Sequence, residues 1–281
     1  MQNALYTRIL LICKQAHAGA YALAEEMAEW LMDQGSSVLI CECGDLPGLP
    51  LDKEKSLAIV LGGDGTLLGV GRNLAGLSIP ILGINFGRVG FLTNTTPKNW
   101  RKHVENSLNG KIQKQPRLVL NWRLIRHQKD IAKGHAVNDV VVSHGDLARL
   151  VSIHITINGE NMGVLRCDGV IFATPMGSSG YTASAGGPIL FAKTDAYVFT
   201  PICPFLRTVS PMVVPSTVVF HVRLEQRSEC CLTLDGQEGH NLFAGDVLAL
   251  SATPDAVYFL GDDEVFLKRL RTRGLALEQS Y

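Results

Sequence analysis

The sequence predicts an α/β N-terminal domain with a parallel sheet, followed by a mostly antiparallel β-sandwich C-terminal domain. Three observations carry this expectation. The first hundred residues alternate short apolar runs with stretches of helical period. After about Pro116, strand patterns follow one another with little helix between them. The 281 residues also exceed one average domain. The expected divisions are an α/β domain over 1–115, a β-rich domain over 116–255, and a tail over 256–281 that packs back on the N-terminal domain.

The elements follow in order. Ile9–Cys13, between Arg8 and Lys14, is too short for a signal segment or a membrane span and reads as a buried strand. Ala20, Leu23, Ala24, Met27 and Leu31 line one face of a helix, and Gly35 stops it. Val38–Cys41 is the next strand, then a Pro/Gly loop over Leu46–Pro50. Leu57–Leu61 and Ile79–Ile84 are two further strands. Thr96-Pro97 reads as an N-cap with proline at the first helical position, opening a helix that ends at Gly110. In the second half, strands are expected over Leu118–Ile125, Val137–Ser143, Val151–Ile157, Val170–Ala173, Val213–Leu224, Cys230–Leu234 and Val247–Leu250. Asn158-Gly159 is a hairpin signal. Gly177–Leu190, rich in Gly, Ser and Ala, is expected to be a functional loop-helix insert.

Composition narrows the function classes. Lys plus Arg is 26 and Asp plus Glu is 26, so no net field recruits nucleic acid or an anionic membrane. The seven cysteines are odd in number and include no CxxC pair. Free thiols in a reducing cytosol fit better than a disulfide framework, which predicts a cytoplasmic protein. The eight histidines show no HExxH or comparable spacing, so no zinc site is expected.

The sharpest motif is Gly62-Gly63-Asp64-Gly65-Thr66, directly after an apolar strand and before a helix expected to start near Thr66. Glycines permit close approach of a ligand to the backbone, and a helix amino end attracts phosphate. Gly62, Gly63, Gly65 and Thr66 are therefore candidate phosphate-binding residues. A carboxylate beside phosphates either takes a proton from an attacking hydroxyl or holds Mg²⁺. The plain alternative is a tight turn with Asp64 as a helix cap. The turn lacks the Gly-Lys-Ser/Thr ending of a Walker loop and the dinucleotide fingerprint.

Further segments carry candidate binding groups. Asn138 offers an amide that donates and accepts, and Asp139 can accept two hydrogen bonds from a vicinal diol. A solvated turn at a strand start is the competing reading. Ser178, Ser179, Tyr181, Thr182 and Ser184 crowd hydroxyls around flexible glycines. Asp168 can accept from a carboxamide. Arg166 and Arg149 can pair with phosphate or form ordinary surface ion pairs.

The glycine turn resembles the diphosphate-binding turn shared by NAD kinases, diacylglycerol and sphingosine kinases, and phosphofructokinases. Three more blocks resemble the NAD kinase family: Asn85-Phe86-Gly87-Arg88-Val89-Gly90-Phe91-Leu92-Thr93, Asn138-Asp139-Val140-Val141, and Arg166-Cys167-Asp168-Gly169 through Thr174-Pro175-Met176-Gly177-Ser178-Ser179-Gly180-Tyr181 to Ser184-Ala185-Gly186-Gly187-Pro188. Their order matches, and the likeness runs on to Leu234-Asp235-Gly236-Gln237. This resemblance implies ATP-dependent phosphorylation of the adenosine-ribose 2′-hydroxyl of NAD. It implies Asp64 as proton acceptor with Gly65 beside it, and Asn138 and Asp139 holding the nucleotide. Arg149, Arg166 and Asp168 would line the dinucleotide site, with the arginine at 166 favouring NAD over NADH. Ser179, Gly180, Tyr181, Thr182, Ala183 and Ser184 would wrap the adenosine end, and Gln237 would add a contact. A divalent ion, Mg²⁺, accompanies ATP, and a homodimer or homotetramer is implied.

The sequence departs from the family pattern at Asp139, which stands where glutamate is usual, at Met176 for threonine, and at Ser179-Gly180 for Thr-Ala. These departures motivate a rival reading, a non-catalytic NAD(P)-binding regulator. A lipid kinase of the same superfamily is the other rival, and it would need an apolar groove or a membrane-facing patch.

Overall fold

The computed structural model describes residues 4–46, 51–87, 95–145, 150–207, 209–225 and 230–261. The chain divides into two compact units, Met1–Pro116 with Ala256–Tyr281, and Arg117–Asp255.

The first unit runs β1 (Arg8–Cys13), α1 (Ala18–Asp33), β2 (Ser37–Glu42), β3 (Ser56–Gly62), α2 (Asp64–Leu74), β4 (Pro80–Asn85) and α3 (Trp100–Leu108). The four strands lie in the order β2-β1-β3-β4, all parallel, as the alternation of strand and helix patterns requires. β3 and β4 are buried along their whole length, which explains their continuous apolar sequences. Ile9, Leu11, Leu57, Ile59, Leu61 and Leu82 meet Ala20, Ala24, Met27 and Leu31 of α1 and Trp100, Val104 and Leu108 of α3 in one core. The α1 stop is the expected one, with Gly35 at φ 84°. Its start is a surprise: His17 is the N-cap, its Nδ1 accepting from the Ala20 N–H at 3.1 Å. The helix expected from Thr96 begins as a single 3₁₀ turn, Pro97–Asn99, and the Thr96 side chain makes no capping bond. Gly110, at φ 67°, follows α3 as expected.

The second unit contains β5 (Lys114–Arg126), β6 (Lys129–Ala136), β7 (Asp139–His144), β8 (Val151–Ile157), β9 (Glu160–Cys167), β10 (Gly169–Ala173), α4 (Tyr181–Ser184), β11 (Ala196–Ile202), β12 (Met212–Pro215), β13 (Phe220–Leu224), β14 (Cys230–Leu234), β15 (Glu238–Leu242) and most of β16 (Val247–Leu260). One antiparallel sheet has the order β12-β11-β10-β7-β14-β15. In the other, β16 pairs with β13, β13 with β8, β8 with β9, and β5 with both β16 and β6. Their inward residues share one core. Leu120, Trp122, Ile153, Ile155 and Phe220 come from one sheet, and Val140, Val142, Phe172, Tyr197, Phe199 and Leu232 from the other, which makes a β-sandwich. The last residues of β16 belong to the first unit, where Tyr258 and Phe259 pair in parallel with Pro80 and Ile81.

The structure corrects several expected elements. The single strand expected over Val213–Leu224 is two strands in different sheets. Pro215 ends the first, and the Val218 N–H closes a turn onto its carbonyl at 3.0 Å. Asn158-Gly159 makes the expected hairpin, with φ of 48° and 85° as a type I′ turn requires. β6, β9, β11 and β15 are additional to the expected strands; β6, β9 and β15 have largely polar, exposed sequences, whereas β11 is a short buried run ending in Pro201-Ile202. β16 continues ten residues past the predicted Leu250, through Pro254. The loop expected over Leu46–Pro50 lies, after its first residue, outside the described residues. No helix among the described residues is long and apolar enough to cross a membrane.

Candidate active site

In the first unit, chain order and strand order diverge between β1 and β3: β1 leads to β2 on one side, and β3 lies on the other. Such a switch point, at the carboxyl ends of parallel strands, leaves a crevice where open α/β sheets bind ligands. Gly62-Gly63-Asp64-Gly65-Thr66 sits there. Gly62 ends β3, Gly63 is the N-cap of α2, and Asp64 is the first helical residue, two positions earlier than the sequence pattern indicated. The N-cap is a glycine with no side chain to cap the helix, and the dipole of α2 points at the turn. A Cβ on Gly62 would lie 2.5 Å from Thr66 Oγ1 and 2.7 Å from Thr66 Cβ, so the first turn of α2 closes onto that glycine. Asp64 is half-buried and Gly65 exposed.

The neighbouring strand ends supply more groups. Asn85 pairs with Gly62 in register, and the Phe86 N–H donates to the Gly62 carbonyl at 3.0 Å. The buried Asn85 Oδ1 accepts from the Gly87 N–H at 3.0 Å. His17, after β1, meets the Phe86 ring edge-on at 5.3 Å between centroids. His17 carries no signal in the sequence beyond its place after a strand. The rest of that block, 88–93, lies outside the described residues.

In the second unit, three blocks far apart in sequence converge at one end of the β7 sheet. Asn138 precedes β7 and Asp139 opens it; Ala173, the end of β10, pairs with Asp139, and Leu234, the end of β14, pairs with Val140. The loop after β10 is fastened to this end. The Thr174 N–H donates to the Asn138 carbonyl at 2.8 Å, and Thr174 Oγ1 donates to the Val137 carbonyl at 2.6 Å. Within the loop, the buried Ser178 hydroxyl donates to the Pro175 carbonyl at 2.6 Å and accepts from the Leu190 N–H at 2.9 Å. That hydroxyl holds the loop together. Ser179 and Thr182 are also buried, while Gly180, Tyr181 and Ser184 are exposed and Ala183 is half-buried.

The turn between β14 and β15 is the third block. Asp235 and Gly236, at φ 51° and 65°, form a two-residue type I′ turn, and the Gln237 N–H closes it on the Leu234 carbonyl at 2.9 Å. Gln237 is exposed beside it. Burial, and then the negative charge of Asp235, push the Asp139 carboxyl up to about 7.

Asp168 lies at the opposite end of the β7 sheet, just before β10, and Arg166 precedes it by two residues on β9 of the other sheet. Gly169, next to Asp168, pairs with Ser143 near the end of β7, and the His144 N–H donates to the Asp168 carbonyl at 3.3 Å. The Cys203 thiol is pushed up by a hydrogen bond to the Asp168 side chain and by its charge. The Arg166 guanidinium lies 5.3 Å from the centre of the Phe205 ring. Five strand steps separate Asp168, which faces His144, from Asp139, roughly 17 Å at the usual rise, so these site residues form two groups and not one. Arg149 lies outside the described residues.

The chain matches two family models, described as the ATP-NAD kinase N-terminal domain over residues 51–112 and the ATP-NAD kinase C-terminal domain over residues 137–261. A NAD kinase of Nitratidesulfovibrio vulgaris is 41% identical over 97% of this chain and 98% of its own length. A NAD kinase of Treponema denticola is 35% identical over 95% of each. Two solved structures share the fold. A yeast NADH kinase complexed with NADH has a TM-score of 0.81 at 22% identity, covering 100% of this chain and 91% of that one. A NAD kinase from Archaeoglobus fulgidus in complex with ATP has a TM-score of 0.71 at 24% identity, covering 96% of this chain and 100% of that one. By both the family models and the relatives, the chain belongs to the NAD kinase family.

Proposed function

We propose that the protein transfers the γ-phosphoryl group of ATP to the adenosine-ribose 2′-hydroxyl of NAD, with Asp64 accepting the hydroxyl proton. The observation that carries this reading is a carboxylate at the start of α2, in a glycine turn at the carboxyl end of β3, in a chain of this family. Backbone N–H groups of Gly63, Gly65 and Thr66 bind phosphate oxygens, where the helix dipole favours negative charge. Phosphoryl transfer needs mainly in-line positioning and charge neutralisation, so the turn supplies most of what the protein must contribute. Asp64 supplies the remainder, a base within reach of one hydroxyl.

Nucleotide recognition falls to the second unit. Asp139 accepts from a vicinal ribose diol and Asn138 from a base edge or ribose. Tyr181, Thr182, Ala183 and Ser184, with Ser179 and Gly180, wrap the adenosine end, and Gln237 adds a contact. Arg166 and Asp168 serve the other end of the dinucleotide, with Arg149, and the spacing along β10 suits a ligand of two nucleotides. Among the described residues no three His, Cys, Asp or Glu side chains converge as a metal site. Mg²⁺ would arrive on the triphosphate, with Asp64 as the carboxylate at hand in the turn. Bound there, the ion neutralises charge on the phosphoryl oxygens. A homodimer or homotetramer in the cytoplasm completes the reading.

The test is incubation of purified protein with NAD, ATP and Mg²⁺, read by an NADP-dependent dehydrogenase. Parallel arms offer NADH and a diacylglycerol in place of NAD. NADP formation supports the reading. Phosphorylation of the lipid alone, or tight NADP binding without turnover, overturns it in favour of the rival it names.

A further inference from the structure

The described residues place a second buried carboxylate directly behind the Asn138–Asp139 pair. Asp235 Oδ1 accepts from the Asn138 N–H at 2.7 Å and from the Asp139 N–H at 3.0 Å, and Oδ2 accepts from the Val137 N–H at 3.1 Å. The Asp235 N–H returns a bond to the Asp139 carbonyl at 2.9 Å. Both carboxylates are buried, 8% exposed for Asp235 and 9% for Asp139. Three consecutive backbone N–H groups thus converge on one side chain held in a strained left-handed turn. The arrangement fixes the peptide units that carry Asn138 and Asp139 and sets their side-chain directions.

We propose that Asp235 is a positioning residue for the nucleotide: it aims Asn138 and Asp139 through these three hydrogen bonds. Burial first, and the Asp235 charge second, keep a proton on Asp139 toward acid pH, which weakens NAD binding there. The inference rests on the reading that Asp139 receives a ribose of NAD. An ionised Asp139 accepts from both ribose hydroxyls, whereas a protonated one gives up an acceptor. The elements packed on the start of β7 present Ala173 from β10, Leu234 from β14, and from the loop the Thr174 hydroxyl on the Val137 carbonyl and Gly177 against the Asn138 carbonyl. Asp235, from the β14–β15 turn, is the charged group that acts on Asp139.

The test is calorimetric titration of the intact protein with NAD between about pH 5.5 and 8.5, a range that brackets Asp139's titration. The variants are Asp235→Asn and Asp139→Asn. Asparagine suits the left-handed first position of the turn and keeps one acceptor, so the hairpin survives. Wild-type affinity should fall toward acid pH with a midpoint near 7, set by Asp139. Asp235→Asn should weaken binding about tenfold at alkaline pH, because one charged acceptor is lost, and move the midpoint to lower pH. A weakened but unmoved midpoint would mean Asp235 is merely structural and overturns the proposal. If Asp235→Asn does not fold, Asp139→Asn decides: its affinity should be flat across the range, and an acid fall matching the wild type overturns the proposal. Wild-type NADP formation, measured alongside, separates the two claims. No turnover sinks the functional reading, while turnover with an unmoved midpoint sinks this inference alone.

Discussion

Gly177 lies so close to Asn138 that a Cβ on the glycine would come within 2.1 Å of the Asn138 carbonyl oxygen and 2.5 Å of its carbonyl carbon. Backbone cannot yield as a flexible side chain can, so this contact welds the serine-rich loop to the start of β7. Gly177→Ala is expected to push the two apart, at a cost of about 1–3 kcal/mol. The melting temperature should fall and KM for NAD should rise, with kcat changed less, because the loop and Asn138 bind while Asp64 reacts. Gly44→Ala is the control, since its Cβ meets nothing within 4 Å. Equal behaviour of the two variants would refute the weld.

Asp64→Asn should fold as the wild type does. The residue is half-buried at the first position of α2, and an amide is tolerated there. Turnover should drop by about 10²–10⁴-fold, the usual worth of a positioned base, with KM values little changed. Initial rates at saturating NAD and ATP measure this. Near-normal turnover would remove Asp64 as the base and leave the turn as a phosphate cradle only.

Much of this architecture was legible in the sequence, for reasons tied to particular residues. β3 and β4 are buried on both faces and so read as unbroken apolar runs. Gly62 and Asp64 stand out because an apolar strand running into glycines and a lone acid sets a helix amino end at the strand's carboxyl end. The hairpin at Asn158-Gly159 announced itself by chemistry that only a type I′ turn needs. What stayed hidden was tertiary. β9 and β15 carry polar sequences whose strand state comes from pairing with β8 and β14. Asp235 looks like an ordinary turn residue until β14 brings it under Val137, Asn138 and Asp139. The division of the second-unit site residues into two groups follows from β7–β10 register, which no local pattern encodes.

Arg126 and Asp246 form a two-pronged ion pair, with Nε to Oδ1 at 2.8 Å and Nη2 to Oδ2 at 2.9 Å. The carboxylate is buried and the guanidinium stacks over Phe243 at 4.5 Å. Burial alone would raise the Asp246 carboxyl, but the Arg126 hydrogen bonds, the Phe243 N–H and the charge of Arg126 outweigh it and hold it below its ordinary value. Arg126→Ala should therefore lower the melting temperature at neutral pH, since a buried carboxylate loses its partner. A depressed acid contributes stability above its unfolded value and loses it as pH falls through the folded one. The gap between variant and wild type should thus shrink as pH falls from about 4 through the lower folded value, beneath which the carboxyl is protonated in either state. A pH-independent gap would assign the loss to the Phe243 stacking instead.

Asp139 has the opposite sign. Its carboxyl rises from 3.8 to about 7, by burial first and Asp235 second. Between those values the folded protein holds a proton that the unfolded chain has released, so stability falls as pH rises through the window and levels off above about 7. A shift of that size corresponds to about 4 kcal/mol across the window. Asp139→Asn removes the titration while keeping an acceptor and adding a donor. Without nucleotide, the variant's melting temperature should be the higher of the two at pH 8, and its advantage should shrink steadily toward pH 5. Thermal denaturation of both proteins along one pH series gives the difference directly, with all other titrating groups cancelling. A difference that stays constant across the series, or that grows toward acid pH, would mean Asp139 is ionised throughout. The strain of holding two carboxylates at one strand end would then have to be relieved elsewhere. Bound nucleotide relieves it, because ribose hydroxyls that donate to the Asp139 carboxylate replace the water it lost on folding. Saturating NAD should therefore raise the wild-type melting temperature more at pH 8 than at pH 5.5, and raise that of Asp139→Asn about equally at both.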